Sequence, residues 1–167
     1  MSTGKPATVL LCIGPERWLR DRAVEQARAQ CVTPGFEETD FVRFSEPPEE
    51  PRLLLEHLRT APFGSPFPLV VMDGFGKLEP KAAPWLEEVL KTPPSQARLV
   101  ICADECEGLP RSADLQVVSC APLKGAALEQ WVRDQAKEAG LAPGGIDPRA
   151  AALLTARIGT DLQALAL

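Results

Sequence analysis

The sequence predicts an α/β protein whose sheet is largely parallel. Short apolar runs alternate along the chain with segments whose apolar residues recur at helical spacing, and this alternation is typical of a layered fold. The predicted strands are residues 9–13, 41–44, 69–72, 99–102 and 116–120. The run at 69–72, Leu-Val-Val-Met, is apolar at every position, as expected of a strand that is covered on both faces.

Helices are predicted between these strands. Their apolar residues recur every three or four positions, which places one stripe of each helix against the sheet. The segments are residues 18–32, 53–58 and 85–90. Pro84 suits the first turn of the third helix because its missing N–H has no partner there in any case.

Glycine, proline and acidic residues predict the turns. Asp73 and Gly74 are expected to end the strand at 69–72, with Asp73 as a strand-end cap, and residues 74–80 are expected to form a loop. Residues 103–104 are expected to close the strand at 99–102. The acidic, proline-rich segment 46–51 fits a solvated loop.

The pattern changes near residue 122. Beyond it no further strand is predicted, and three helical patterns follow, at residues 128–136, 151–158 and 162–167. We therefore expect an α/β domain over residues 1–122 and a small helical domain over residues 123–167. The third helical pattern is unfinished where the sequence stops, so we expect the helical domain to be truncated.

Composition and charge narrow the function classes. The 167 residues carry a formal net charge of −5, whereas a protein that grips nucleic acid by itself usually has a basic surplus. We therefore expect mainly protein partners. The sequence has neither a run of about 20 apolar residues for a membrane helix nor a signal-peptide cleavage site. Five scattered cysteines are most simply reduced, buried thiols of a cytoplasmic protein.

The first strand, turn and helix occupy the place of a P-loop. A working P-loop has the pattern G-x-x-x-x-G-K-[ST], which supplies amides, a cation and a hydroxyl to phosphates and magnesium. Residues 14–20 are Gly-Pro-Glu-Arg-Trp-Leu-Arg, with one glycine, no lysine and no hydroxyl, and Glu16 would repel phosphate. A nucleotide-binding α/β enzyme remains an alternative, but it needs a phosphate cradle elsewhere.

No catalytic residue, cofactor or metal is predicted. Cys102 and Cys106 form a single C-x3-C pair, whereas structural zinc usually takes two closely spaced pairs of ligands. His57, the one histidine, falls on the apolar face of its predicted helix and is expected to be semi-buried rather than a catalytic base.

The segment before the strand at 69–72 is the strongest candidate for a contact surface. Residues 62–68, Pro-Phe-Gly-Ser-Pro-Phe-Pro, are excluded from helix or central strand by three prolines and a glycine. The loop nevertheless contains Phe63 and Phe67, and a rigid loop that displays aromatic rings is typical of protein docking. Alternatively both rings fold back as lids on the core, which is favoured more for Phe67 than for Phe63.

The order and spacing of these segments resemble the delta subunit of bacterial DNA polymerase III, over essentially all 167 residues. The resemblance implies a degenerate AAA+ module, with its parallel sheet flanked by helices, followed by a small helical lid domain, with the family's collar domain missing. The resemblance depends on five short motifs: Gly14-x-Glu16, Leu58-Arg59-Thr60-x-Pro62-Phe63, Pro93-Pro94-Ser95, Pro122-Leu123-Lys124 and Gly159-x-Asp161-Leu162-x-x-Leu165.

The resemblance also implies a function. It implies a cytoplasmic clamp-loader subunit, not itself an enzyme, that binds and opens the ring-shaped sliding clamp without hydrolysing ATP. The family's exposed hydrophobic pair corresponds to Pro62 and Phe63, and Phe67 is a third candidate for clamp contact. The implied partners are the sliding clamp, the ATPase subunits, delta prime and, within the complex, primed DNA. A degenerate AAA+ scaffold with another protein partner is the remaining alternative.

Overall fold

A computed structural model describes residues 8–46, 51–79, 84–92, 94–108, 114–141 and 146–166. The chain divides into two compact units, Met1–Ala121 and Pro122–Leu167. The first unit is α/β, and the second has helices as its only regular elements among the described residues. Most of the predicted acidic loop at 46–51 lies outside the described residues.

Five parallel strands form the sheet of the first unit. They are β1 (Val9–Ile13), β2 (Phe41–Phe44), β3 (Leu69–Leu78), β4 (Arg98–Cys106) and β5 (Leu115–Ser119). Their spatial order is β2-β3-β4-β1-β5, and every neighbouring pair is parallel. The predicted α/β fold with a parallel sheet is therefore confirmed.

Helices cover both faces of this sheet. They are α1 (Arg17–Cys31), α2 (Glu37–Asp40), α3 (Pro51–Arg59) and α4 (Pro84–Lys91). Helix α1 packs Val24 and Cys31 into one cluster with alternate sheet residues such as Val71, while α3 and α4 pack on the opposite face, where Val70 and Met72 lie. This double cover explains why residues 69–72 are apolar at every position.

Two strands run further than the sequence predicts. Residues Asp73 and Gly74 do not end β3; the register shifts between Met72 and Phe75, and pairing with β4 continues as far as Leu78 opposite Cys106. Gly74, with φ of 83°, absorbs this bulge. The predictions of a loop at 74–80 and of a strand end at 103–104 are therefore wrong.

Asp73 also differs from its prediction, because it lies inside β3 and not at a strand end. Its Oδ2 atom accepts a hydrogen bond from Arg43 Nε on the neighbouring strand β2, at 3.0 Å. The carboxylate is thus a cross-strand partner rather than a cap.

The second unit consists of α5 (Gly125–Glu138), α6 (Pro148–Ile158) and α7 (Leu162–Leu165) in its described part. Its buried residues are Leu128, Val132, Ala136, Ala151 and Leu162. Asp147 and Asp161 cap α6 and α7 by accepting backbone N–H groups. In the described part of the chain, no helix is both long enough and apolar enough to cross a membrane.

The turn after β1 gives the first testable prediction. Gly14 has φ of 133°, and a Cβ atom added to it would lie 2.2 Å from the carbonyl of Cys120. We expect Gly14→Ala to lower the free energy of unfolding by more than about 2 kcal/mol, measured by urea denaturation. Gly76→Ala is the matched control because nothing lies within 4 Å of the added methyl group, and it should change stability by less than about 0.5 kcal/mol. Equal effects of the two substitutions would contradict the tight approach at Gly14.

Candidate protein-contact site

The three residues predicted to contact a partner lie on the connection between α3 and β3, which we call the contact loop (residues 60–68). Phe63 is 79% exposed, whereas Pro62 and Phe67 are half-buried. The loop leads directly into β3 and therefore lies at the edge of the sheet formed by the amino ends of the strands.

One carboxylate holds the backbone of the contact loop at Phe63. Asp40, the last residue of α2, is only 2% exposed. Its Oδ1 accepts the N–H of Phe63 at 2.7 Å, and its Oδ2 accepts the N–H groups of Gly64 at 2.9 Å and Ser65 at 2.8 Å. Three consecutive backbone N–H groups thus donate to a charged carboxylate. Such hydrogen bonds are stronger than those between neutral groups.

The pKa of Asp40 shows which effect dominates at this carboxylate. Burial acts to raise the pKa, but the hydrogen bonds from Phe63, Gly64 and Ser65 outweigh it and lower the pKa from 3.8 to about 2. Asp40 is therefore ionised at neutral pH although it is buried.

A second ring lies beside Phe63. The ring centroids of Phe36 and Phe63 are 6.1 Å apart, with the planes tilted by 44°, which is within the range of favourable aromatic pairs. Gly64 lies against the same Phe36 ring, and a Cβ atom there would be 2.3 Å from it. A side chain at position 64 would therefore displace the ring that supports Phe63.

The C-terminal half of the contact loop is tied to the end of α1. Ser65 Oγ accepts the N–H of Thr33 at 3.0 Å, and Phe67 donates its N–H to the carbonyl of Cys31 at 3.4 Å. The backbone N–H of Arg98, the first residue of β4, donates to the carbonyl of Pro68 at 2.9 Å. The loop is thus fastened at Phe63 and at several points between Phe63 and β3.

Phe67 lies in a different environment from Phe63. Its ring packs against the cluster beneath α1 and lies 3.7 Å from the guanidinium carbon of Arg98. Arg98 is 3% exposed, and its Nε and Nη2 atoms have no hydrogen-bond partner within the described part of the chain. Burial lowers the pKa of Arg98, and the face of the Phe67 ring and the charge of Asp114 offset part of this cost. This geometry gives Phe67 an anchoring role, and Phe63 is the ring that is available to a partner.

At the opposite edge of the sheet, where a P-loop would bind phosphate, the polar side chains form hydrogen bonds and ion pairs within the protein. The side chain of Glu16 caps α1 by accepting the N–H of Trp18 at 3.3 Å, and the N–H of Glu16 donates to the carbonyl of Cys120 at 2.9 Å. Arg20 donates to the carbonyl of Gly14 and pairs with Asp104. A carboxylate thus occupies the helix end that attracts anions in P-loop proteins.

A cleft of about 430 Å³ lies near this edge and is lined by charges of both signs. Arg43 pairs with Asp21 at 2.8 Å and also with Asp73, and Arg17 lies 3.6 Å from Asp21. Since these arginines already have acidic partners, the cleft does not present a concentrated positive charge to phosphate.

The two cysteines considered as metal ligands, Cys102 and Cys106, do not come together in the described ranges. No group of three or more metal-ligating side chains occurs there, and Cys102 and Cys106 pack in clusters on opposite faces of the sheet. His57 is exposed and lies edge-on to Phe44 at 5.9 Å, so the prediction of a semi-buried histidine is wrong. Leu54 and Leu58 form the buried stripe of α3, and His57 lies just outside it.

A protein-family comparison decides what kind of chain this is. The model for DNA polymerase III, delta subunit, matches residues 10–112, which is more than half of the 167 residues. The chain belongs to the DNA polymerase III delta subunit family. The matched region includes the contact loop, strands β2 to β4 and all of β1 except Val9, and the predicted resemblance is confirmed.

A solved relative of this delta-family chain shows the fold. The Bacillus subtilis DNA clamp loader delta protein (YqeN) matches with a TM-score of 0.72 at 16% identity, over 96% of this chain and 51% of that protein. A gamma subunit-related protein of DNA polymerase III from Thermotoga maritima matches with a TM-score of 0.46 at 16% identity, over 96% of this chain and 56% of that protein. The delta-family chain thus spans about half the length of these structures. No curated protein matches the sequence.

The first of these matches confirms the predicted AAA+-like α/β fold for the delta-family chain. Its parallel five-stranded sheet, flanked by helices, is the arrangement of the clamp loader delta protein. At 16% identity the likeness concerns the fold, so the residues that contact a partner must be inferred from the geometry of this chain.

No sequence pattern pointed to Asp40 or Phe36 in this delta-family chain. Helix α2 has the sequence Glu-Glu-Thr-Asp, which lacks any apolar spacing and resembles a solvated acidic stretch. The partners of Asp40 are 23 to 25 residues further along the chain, a separation that local motifs cannot reveal.

The low pKa of Asp40 predicts a defined acid dependence of stability in this delta-family protein. Because the folded-state pKa of about 2 is below the ordinary 3.8, the carboxylate contributes fully above the ordinary value, and its contribution is lost as the pH falls towards 2. We expect the stability difference between wild type and Asp40→Asn to be constant near neutral pH and to shrink below about pH 4, in urea unfolding curves. A difference that stays constant down to about pH 2 would contradict this assignment.

Proposed function

We propose that this chain is a clamp-loader subunit that binds the sliding clamp through Phe63 and opens it for loading onto primed DNA, without hydrolysing ATP. The observation that carries the proposal is one large aromatic ring, 79% exposed, on a backbone fixed by the buried Asp40. Membership of the DNA polymerase III delta subunit family supplies the partner.

The physical basis is the low cost of ordering this ring. Exposed apolar rings are normally unfavourable, and a ring on a mobile loop would lose conformational freedom on binding. The backbone of Phe63 is already held by Asp40, so most of that entropy has been lost on folding. A ring prepared in this way and inserted into an apolar pocket is typical of a binding hot spot.

The neighbouring candidates have supporting roles in this proposal. Pro62 restricts the backbone before Phe63 and, being half-buried, offers only part of its ring to the clamp. Phe67 anchors the loop through Arg98. Phe63 is therefore the principal contact, with Pro62 at its margin.

The absence of ATP hydrolysis is supported by the first turn of α1. Glu16 and Arg20 are engaged within the protein at the positions where a P-loop offers amides and a cation to phosphate. Energy for clamp loading would then come from the ATPase subunits, which with delta prime are the proposed partners in the complex.

The second unit is proposed to serve as the helical lid domain, and primed DNA is contacted within the assembly. We place this activity in the cytoplasm.

Truncation of Phe63 tests the proposed contact. Removal of a hot-spot ring costs about 2–4 kcal/mol of binding free energy, so Phe63→Ala should weaken binding to the sliding clamp of the same organism by about 30-fold or more. The melting temperature should barely change, because the ring is exposed. The measurement is a calorimetric titration together with thermal unfolding of each variant.

Leu153→Ala is a matched control, since Leu153 is also an exposed apolar residue, at 60%, but belongs to the second unit. It should leave clamp affinity unchanged. If Phe63→Ala binds the clamp as tightly as wild type, the contact lies elsewhere, and a scaffold with another partner is then favoured. If it instead loses about 3–5 kcal/mol of stability, as buried phenylalanines do, Phe63 is a core residue.

The nucleotide part of the proposal has its own test. Titration with magnesium-ATP should show no binding tighter than about 1 mM, because Glu16 occupies the end of α1. A dissociation constant in the micromolar range would show that nucleotide binds usefully and would support the enzyme alternative.

A further inference from the structure

We propose that Asp40 is the positioning residue of the clamp contact: its carboxylate sets the backbone from which Phe63 projects, and its loss lowers clamp affinity through Phe63. This inference rests on the proposed function of Phe63. It adds a residue that is itself shielded from any partner, since Asp40 is only 2% exposed.

The geometry is specific to a carboxylate. Three consecutive N–H groups converge on the two oxygens of Asp40 at 2.7 to 2.9 Å, as in the anion-binding concavities that successive backbone amides form. An asparagine has only one acceptor oxygen, and its amide would turn a donor towards a backbone donor. A glutamate would add a methylene group in a position that has almost no free surface.

The position of the hydrogen bonds that Asp40 accepts matters as much as their strength. It holds the N–H of Phe63 itself, whereas the attachments to α1 begin at Ser65 and continue at Phe67. Without Asp40 the loop would stay fastened beyond Ser65, but the residue that bears the ring would lose its hydrogen bond. Binding elements displaced by about 1 Å lose much of their effect.

Ser65 links Asp40 to α1 and provides a milder probe of the same network. Its hydroxyl helps to lower the pKa of the Asp40 carboxyl and accepts the N–H of Thr33 at 3.0 Å. Loss of this hydroxyl removes one support of the carboxylate and the acceptor of the Thr33 N–H, while the three backbone donors to Asp40 remain.

A double-mutant cycle tests the inference. Clamp affinity is measured by calorimetry for the wild type, Asp40→Asn, Phe63→Ala and the double variant, with circular dichroism and thermal unfolding to show that each is folded. We expect Asp40→Asn to weaken clamp binding by about tenfold in the wild-type background. In the Phe63→Ala background the same substitution should change affinity by less than about twofold, because the ring that it positions is gone.

Asp161→Asn is the matched control. Asp161 also accepts two backbone N–H groups, from Gln163 at 2.9 Å and Ala164 at 3.1 Å, but it caps α7 in the second unit. Its substitution removes a similar interaction far along the chain and should leave clamp affinity unchanged.

Ser65→Ala should weaken clamp binding in the same direction as Asp40→Asn but less strongly, and it decides the question if Asp40→Asn does not fold.

The outcomes separate this inference from the proposed function. If Phe63→Ala weakens binding while Asp40→Asn and Ser65→Ala bind as wild type, the positioning role is wrong and the clamp contact stands. If the effect of Asp40→Asn persists undiminished in the Phe63→Ala background, Asp40 acts independently of the ring, and the inference is overturned. If Phe63→Ala itself binds normally, the proposed contact fails, and the positioning role fails with it.

Discussion

The contact loop depends on the pairing of one buried carboxylate with three backbone amides. A segment with three prolines cannot join the sheet or a helix, so the N–H groups that it retains need other acceptors. Asp40 supplies these acceptors, and the donors in turn offset the desolvation of its charge. Each side of the interaction thus stabilises a group that would be unfavourable alone, and Phe63 is left exposed on an ordered backbone.

The two phenylalanines of the loop show how backbone attachment divides roles between identical side chains. Phe67 donates its N–H to the end of α1 and lies against the guanidinium of Arg98, so its half-buried ring packs against the core. Phe63 has its N–H bound from the side of α2, with its ring beside Phe36 at the surface. The prolines between and around these rings fix the chain direction, so that neither ring can easily take the place of the other.

Much of the fold could be predicted because the strands are covered on both faces, which makes segments such as 69–72 apolar throughout. Asp73 and Gly74 misled the prediction because a glycine with positive φ suits a turn and a bulge equally well. His57 was misplaced because one residue corresponds to 100° of helix rotation, enough to move a side chain out of the buried stripe of α3. Phe63 could be singled out from its proline-rich setting, but Asp40 could not, because its partners are distant in sequence.

Helix α1 runs from one edge of the sheet to the other. It begins beside Gly14 at the carboxyl ends of the strands and ends at Cys31, which contacts the loop of Phe63 at the amino ends. Its 15 residues span about 22 Å, a distance over which substitutions usually act independently. An α/β fold normally binds small ligands at the carboxyl edge. Substitutions that change ligand binding at the carboxyl edge can therefore accumulate one by one while the proposed contact surface at the amino edge keeps its shape.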